Sequence, residues 1–552
     1  MEKRTLLAIA LSILILVAFS YLSPQRPVQK QVKQQPAESK AEDQIKKEEK
    51  PSGQAEVAIP VAQPLPSEEK EIKVETDLYS AVFTTKGGTF KKWELKKFTD
   101  SVSKKPIQLL PPDTPIPPIS IIPEGQPMDS PQKFNYIYNA DKDSILLDSK
   151  TNKDTLTFFY TDPAGFSVKK SFTFYRDDYK VDLTTEVKGV KSYYVVLGSE
   201  FGIFDKKGTW VHVGPVLLND NKKIDISADN IEGIGFFQRY ITGRKSRDEI
   251  AYQGNIWWIA HEDKYFAAAL ASLSRTNDVK VWTRGKESKN QGVEIAYKVD
   301  GEKGNFLLYA GPKKYEILKL LNVGLEHIVD FGFFSIIARP LFWLLKFLYK
   351  IIGNYGWAII ILTILVRIPF IPLLNKSQKS MKKLQDIQPH MAEIKEKYKK
   401  DPQKMQKEMM QLYKKHKVNP VGGCLPMLIQ MPVFLALYKI LLIAIELQGA
   451  PFFLWITDLS APDRLPIGIQ IPYVGNGIPV LTLLMGATMV IQQKITPTAM
   501  DPQQAKMMML MPIVFTFMFL NFPAGLVLYW LVNNTLGIVQ QVYVNKQAKS
   551  KK

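Results

Sequence analysis

The segment Gly356–Leu374, GWAIIILTILVRIPFIPLL, has no acidic residue and a single charge, Arg367. A run this long and apolar is stable as a helix in a bilayer, where every backbone N–H and C=O must be satisfied within the segment. Four more apolar stretches follow: Leu425–Leu447, Pro479–Gln493, Met507–Leu520 and Pro523–Gln541. The carboxy-terminal third is therefore expected to be a bundle of five transmembrane helices. The net charge of +19 would also suit nucleic-acid binding, but the lysines gather beside apolar runs, as they do in membrane proteins. No specific nucleic-acid binding is expected. Cys424 is the one cysteine and the five histidines are scattered, so neither a disulfide nor a metal or other cofactor site is expected.

The rest of the chain divides by texture. Residues 1–23 join MEKR to an apolar run and read either as a signal peptide, with Ala18 and Ser20 as a weak cleavage pattern, or as an uncleaved anchor helix, which the length favours. Residues 24–73, rich in Gln, Lys, Glu and Pro, cannot bury enough apolar surface to order themselves and read as a linker. Residues 74–325 show the period-2 alternation of antiparallel strands, as in TLTFFYTDPAGFSVKKSFTFYRDDYKVDLTTEV, and predict one large β-sandwich domain. His261, Glu262 and Asp263 within it read as a polar turn rather than a catalytic cluster, because neighbours on a strand point to opposite faces.

Residues 326–354 are strongly apolar between Phe331 and Ile352, where Ser335, Arg339, Lys346 and Lys350 form a polar stripe within about 60° on a helical wheel. The positive-inside rule decides their placement. Between Asn375 and Pro420 there are thirteen Lys against five acidic residues, which makes this loop cytoplasmic. If the β domain lies outside, one crossing suffices between it and the loop; Gly356–Leu374 supplies that crossing, and the 326–354 helix is expected to lie flat on the outer interface. The loop itself reads as a helical hairpin, with Leu384, Ile387, Met391, Ile394 and Tyr398 on one arm and Met405, Met409 and Leu412 on the other. Its lysines, among them Lys382, Lys383, Lys395, Lys399, Lys414 and Lys415, form a basic surface. Both termini are then cytoplasmic, with the helical core spanning residues 355–545 and a basic tail at 546–552.

Arg367 is the feature that asks for an explanation. An arginine at this depth costs about 2.5–3.5 kcal/mol on insertion scales. Snorkelling is the simplest offset, since Arg367 lies about eight residues, or roughly 12 Å, from the inner end of its helix. The alternative is a water-filled cavity open to the cytoplasm. Thr363 shares the face of Arg367, and Gln430, Gln492, Gln493, Thr516, Asn533 and Asn534 offer hydrogen-bonding but uncharged groups on the other helices. Such a lining would leave the arginine's field free to attract an anionic guest. Lys439 is a second intramembrane charge, and its i+7 neighbour Glu446 is too far along the helix for an evident pairing.

The stretches VNPVGGCLPMLIQMPVFLALY and FPAGLVLYWLVNN, and VRIPFIPL followed by a charged hairpin, resemble the YidC membrane-protein insertases, and a large external β domain resembles their Gram-negative form. The resemblance implies an α-helical bundle of five core helices behind an amino-terminal anchor, with a periplasmic β-supersandwich similar to mutarotase folds without their catalysis. It implies no enzymatic activity, no cofactor, and a bacterial inner-membrane location. Arg367, Thr363, Gln430 and Trp530, the last standing where family members commonly carry Tyr, would lie on a client groove. The partners it implies are nascent membrane proteins, the lipid bilayer, the Sec translocon, and the ribosome or signal recognition machinery at the basic hairpin.

Two other classes compete. A secondary transporter or channel would need coupling acids in the membrane and usually an internal repeat; neither is evident. A periplasmic carbohydrate enzyme would need convergent carboxylates in a cleft, which sequence neither shows nor excludes.

Overall fold

The computed structural model describes residues 68–549, apart from 101–102, 129–135, 206–210, 228–230, 232–248, 274–277, 285–291, 400, 417–424, 472–473 and 496–501. The expected anchor, the linker up to Ser67 and the end of the basic tail lie outside these residues.

The alternating sequence singled out above folds as three consecutive antiparallel strands, Lys153–Thr161, Ser167–Tyr175 and Lys180–Lys188. They belong to a nine-stranded sheet that continues through Lys303–Pro312, Phe266–Ser272, Ile256–Glu262 and Gly214–Asn219. Register places Phe172, Leu183 and Phe306 side by side on one face. Two five-stranded sheets pack against that face. Phe83, from the sheet built around Tyr79–Thr84 and Thr89–Thr99, meets Phe172 edge-on at 5.1 Å, and Tyr297, from the sheet built around Gly292–Asp300, meets Phe306 at 5.8 Å. A sheet of nine strands against two of five is the large sandwich the alternation predicted. Strand Phe266–Ser272 is buried at all seven positions, because the opposite face of the sheet is also covered. The segment Tyr315–Phe331 crosses there, and the Trp258 indole N–H donates to the Gly324 carbonyl at 3.0 Å.

One reading of this domain needs correcting. His261 and Glu262 end a strand and Asp263 opens the turn after it, but all three are buried, each about 1% exposed, where a polar turn would be solvated. Glu262 bridges Lys313 (2.6 Å) and Lys223 (2.5 Å), which come from 51 and 39 residues away. Asp263 accepts four backbone N–H groups, from Phe204, Asp205, Tyr265 and Phe266, at 2.7–3.0 Å. Burial pushes the His261 imidazole down to about 4, so it is neutral at physiological pH. Burial alone would raise the Glu262 carboxyl, but Lys313 and Lys223 hold it below its ordinary value. These are the polar joints of the fold.

Helix α1 (Tyr315–Leu320) leads to α2 (Ser335–Ile352), the amphipathic segment. Its Ala338, Phe342, Leu345 and Leu348 are buried against the protein, while Ile336, Trp343, Phe347 and Ile351 form a separate exposed apolar stripe. Lys346, in the polar stripe between them, pairs with Glu316 of α1 and with Glu446 (3.6 Å). Glu446 thus has a partner, though not Lys439; the stem of Lys439 rests beside Gly332 instead.

Asn354 caps α3 (Tyr355–Arg367) by accepting the Trp357 N–H. A 3-10 turn carrying Pro369 joins α3 to α4 (Ile371–Asp386), so that Tyr355–Leu384 forms one 30-residue, largely apolar helical rod. The helix runs on past Leu374 without a break. Residues 375–386 prolong the same rod, and the interruption comes at Ile387, just before Pro389, because proline tolerates only the first turn of a new helix. Helices α5 (Gln388–Lys397) and α6 (Pro402–Lys415) complete the hairpin, and Leu384, Ile387 and Met391 pack with Met409, Leu412 and Tyr413 at its seam. The remaining helices are α7 (Leu425–Ile443), α8 (Val480–Ile495), α9 (Pro502–Phe519) and α10 (Ala524–Lys549). Helix α7 stops four residues short of the expected Leu447, and a 3-10 turn, Ile445–Leu447, follows it. At 1.5 Å per residue α8 is only about 24 Å long, shorter than the ~30 Å hydrocarbon core of a typical bilayer.

Candidate functional site

Arg367 ends α3, and its guanidinium turns toward α10. Nη1 donates to the Asn533 side-chain oxygen (2.8 Å) and backbone carbonyl (3.0 Å), and Nη2 donates to Gln540 Oε1 at 3.2 Å. Asn533 and Gln540 are seven residues apart and so lie on nearly the same helix face. Between them, Gly537 leaves room. A Cβ there would stand 3.4 Å from Arg367 Nη2 and 2.9 Å from the Gln492 amide nitrogen. Gln430 of α7 donates to the same Asn533 oxygen at 3.0 Å, and Gln540 donates in turn to Asn375 Oδ1 at 2.8 Å. Asn533 is therefore the hub, one amide oxygen receiving both an arginine and a glutamine.

Beside this network opens a cleft lined by Thr363, Val366, Phe370, Gln430, Tyr529 and Asn533, among others. Its enclosed part, about 20 Å3, has room for roughly one ordered water. Arg367 is only partly buried, and among the described residues none that line the cleft is acidic. The guanidinium is thus hydrogen-bonded but not neutralised, with three acceptors that carry no net charge. This differs from pure snorkelling, in which the cation would reach the interface instead of docking on a neighbouring helix.

The structure brings Arg367, Thr363, Gln430 and Asn533 to one place. The Thr363 hydroxyl donates to Ile359 within its own helix (2.6 Å), which satisfies it locally. Trp530 is not in this cluster. It lies one turn outward on α10, its ring wedged between Phe434 (4.7 Å) and Phe519 (4.6 Å). Asn534, about 100° round the helix from Asn533, points to Thr488 of α8 at 3.4 Å. Thr516 bonds the Pro512 carbonyl (2.7 Å) and abuts Gly486 at the crossing of α8 and α9. Asn375, Tyr529 and Gln540 belong to the site, and the sequence reading passed them over. The Asn533-to-Gln540 spacing was the available signal for Gln540.

The comparisons with known proteins bear on the whole chain. The family model described as YidC periplasmic domain matches residues 71–344, and the one described as 60Kd inner membrane protein matches residues 347–552. The membrane protein insertase YidC of Geotalea uraniireducens (strain Rf4) is 40% identical over 563 residues, covering 100% of both chains. The chain belongs to the YidC membrane protein insertase family. The relative from Syntrophus aciditrophicus (strain SB) is 41% identical over 99% of this chain and 100% of its own. A solved structure, an active YidC insertase with its first transmembrane domain resolved, aligns over 86% of this chain and 93% of its own at 20% identity and a TM-score of 0.36. Family membership makes this an inner-membrane protein with a periplasmic domain, of a kind named for insertion rather than for an enzymatic reaction.

The cluster of His212, Asp225 and Glu262 in the β domain could be mistaken for a metal centre, since their ligand atoms lie within 4.8 Å of one another. Its chemistry argues otherwise. Lys223 and Lys313 already occupy the Glu262 carboxylate, and Lys223 also reaches Asp225 at 3.3 Å. Two ammonium groups fill the place of a cation.

Proposed function

We propose that this chain moves hydrophilic segments of client membrane proteins into and across the inner membrane through a groove open to the cytoplasm, with Arg367 as the attracting charge. The observation that carries the reading is that Arg367 is anchored by Asn533 and Gln540, two neutral partners, beside a cleft without acid. A fixed cation with its field intact attracts a carboxylate far more strongly than it would in bulk water. The client's apolar segment slides along the outside of the bundle, where Ile364, Leu365, Ile368, Met431, Leu484 and Phe517 are exposed to lipid. Burial of that segment at about 0.025 kcal/mol per Å2, and the membrane potential acting on negative charge, drive release. The short α8 favours local thinning of the bilayer at the exit.

Five core helices, cytoplasmic termini and a flat α2 on the periplasmic interface complete the topology we propose. The lysines of the hairpin support docking of ribosome or targeting factors: Lys383, Lys395, Lys399, Lys414 and Lys415 are exposed and Lys382 is half-buried. The protein acts alone or beside the Sec translocon in this reading. A transporter or channel is the less favoured alternative, since the cleft offers no acid for ion coupling.

Photo-crosslinking tests the route. With a crosslinker at Gln430 or Val433, a stalled client with an acidic translocated tail is captured; with the same group at Thr516 it is not. Capture at Thr516 alone would place the path elsewhere.

A further inference from the structure

The external loop before α8 holds the ends of three helices at once. Asp463 is 2% exposed, and its Oδ2 accepts the N–H groups of Leu481 (2.5 Å) and Thr482 (3.3 Å), the first turn of α8. Its Oδ1 accepts the Trp455 indole N–H at 2.6 Å. The next residue, Arg464, reaches the opposite kind of helix end. Its Nη1 donates to the Leu520 carbonyl (2.9 Å), and its Nη2 donates to Asn521 Oδ1 (3.1 Å), just past the last turn of α9. A carboxylate at a helix amino terminus and a guanidinium at a carboxy terminus each complement the local dipole. The same loop gives its Leu459 and Ala461 carbonyls to the N–H groups of Gly525 and Ala524, both at 2.8 Å, at the start of α10. Groups that every helix leaves orphaned at its ends are therefore satisfied, for three helices, by residues 459–464. On its other side the loop meets the β domain, where Asp458 lies within electrostatic range of Lys264 and Tyr265.

We propose that Asp463 and Arg464 are positioning residues: by fixing the outer ends of α8, α9 and α10 relative to one another, they keep the bundle closed on the side of the β domain. This rests on the reading that the groove opens only to the cytoplasm. The closure is a property of the resting protein, so it can be read without any client.

The test uses the full chain in membranes, with Cys424→Ser removing the native thiol and Thr482→Cys as reporter; Thr482 is 0% exposed. An impermeant maleimide is added on the β-domain face. Asp463→Leu and Arg464→Leu are expected to raise the labelling rate roughly tenfold or more, the scale of losing one charged hydrogen bond from a local opening equilibrium. Asp463→Asn, whose single amide oxygen can still cap Leu481 and Thr482 while its NH2 no longer accepts from Trp455, is expected to label more slowly than Asp463→Leu, and Arg464→Lys, which keeps a donor to Leu520, within about threefold of the parent. If a leucine variant fails to fold, the smaller Asp463→Ala or Arg464→Ala replaces it, since each removes the same charged contacts without adding bulk. Folded leucine or alanine variants that label as slowly as the parent would overturn the proposal. So would leucine variants no faster than their conservative counterparts. Failure of the groove reading would instead appear as unchanged insertion in Arg367 variants, with the labelling result intact.

Discussion

Asn533→Asp separates charge from geometry better than any deletion at the groove. The Asn533 side-chain oxygen receives Arg367 Nη1 at 2.8 Å and the Gln430 amide at 3.0 Å, so both partners are donors and a carboxylate of the same shape fits them at least as well. Packing is kept, while the field that Arg367 presents to a client is cancelled. At an effective dielectric of about 20, a client carboxylate roughly 5 Å from the guanidinium gains about 3 kcal/mol. Screening over the ~8 Å Debye length of physiological salt leaves about 2 kcal/mol, a factor of roughly 20 in occupancy. Insertion of a client with an acidic tail into proteoliposomes is therefore expected to fall by about that factor at limiting client concentration. A neutral-tailed client is expected to change little. The thermal midpoint of the variant is expected to equal or exceed that of the parent, because a neutral acceptor has become a charged one. An Asn533→Asp protein that inserts acidic clients at the parental rate would refute the attraction argument, since no loss of structure is available to explain it away.

Three further variants probe what holds the chain together. Gly486→Ala places a Cβ 2.2 Å from Thr516 Oγ1, so α8 and α9 must part, and a loss of about 1–3 kcal/mol is expected in detergent melting; Thr516→Ala in the same chain should recover most of it. Glu262→Ala strands the buried Lys223 and Lys313 and is expected to destabilise the β domain by about 3–5 kcal/mol, measured by denaturant unfolding, with Glu262→Gln less severe. Lys170, 1% exposed and bonded to the Gly87 and Ile119 carbonyls at 2.7 and 2.8 Å, is pushed by burial from 10.5 down to about 7. Between those values the unfolded chain holds a proton that the folded chain has lost, so stability rises with pH, by at most about 1.4 kcal/mol per unit, and is flat below 7. Lys170→Met removes the slope, and the wild-type minus variant difference in unfolding free energy at pH 7, 8 and 9 measures it.

What could be read from sequence was what repeats. Strand alternation marked Lys153–Lys188 as a run of antiparallel strands because a half-buried sheet forces period 2, and 3,4 spacing marked Leu384, Ile387 and Met391 because a helix seam forces 3.6. Arg367 stood out by its cost, and Gln430 and Asn533 by polarity in apolar helices. What could not be read was pairing across long separations. Nothing local says that Glu262 meets Lys313, so a buried ion network looked like a polar turn. Trp530 and Asn534 flank Asn533 in sequence yet face aromatic rings and α8, because 60–100° of helix rotation is enough to leave a groove. Nothing local marks Asp463 and Arg464, because the helix ends they hold come from 18 to 57 residues away.

The proposed mechanism requires a positive charge in a wet groove to receive the client. It is tested most directly by purified protein in proteoliposomes inserting a single-span client with an acidic translocated tail, comparing the wild type with Arg367→Ala and Arg367→Lys. Loss with alanine, substantial retention with lysine and a smaller difference for a neutral tail are expected. Parental insertion by Arg367→Ala, for acidic and neutral tails alike, would contradict it and leave Arg367 as a structural tie between α3 and α10.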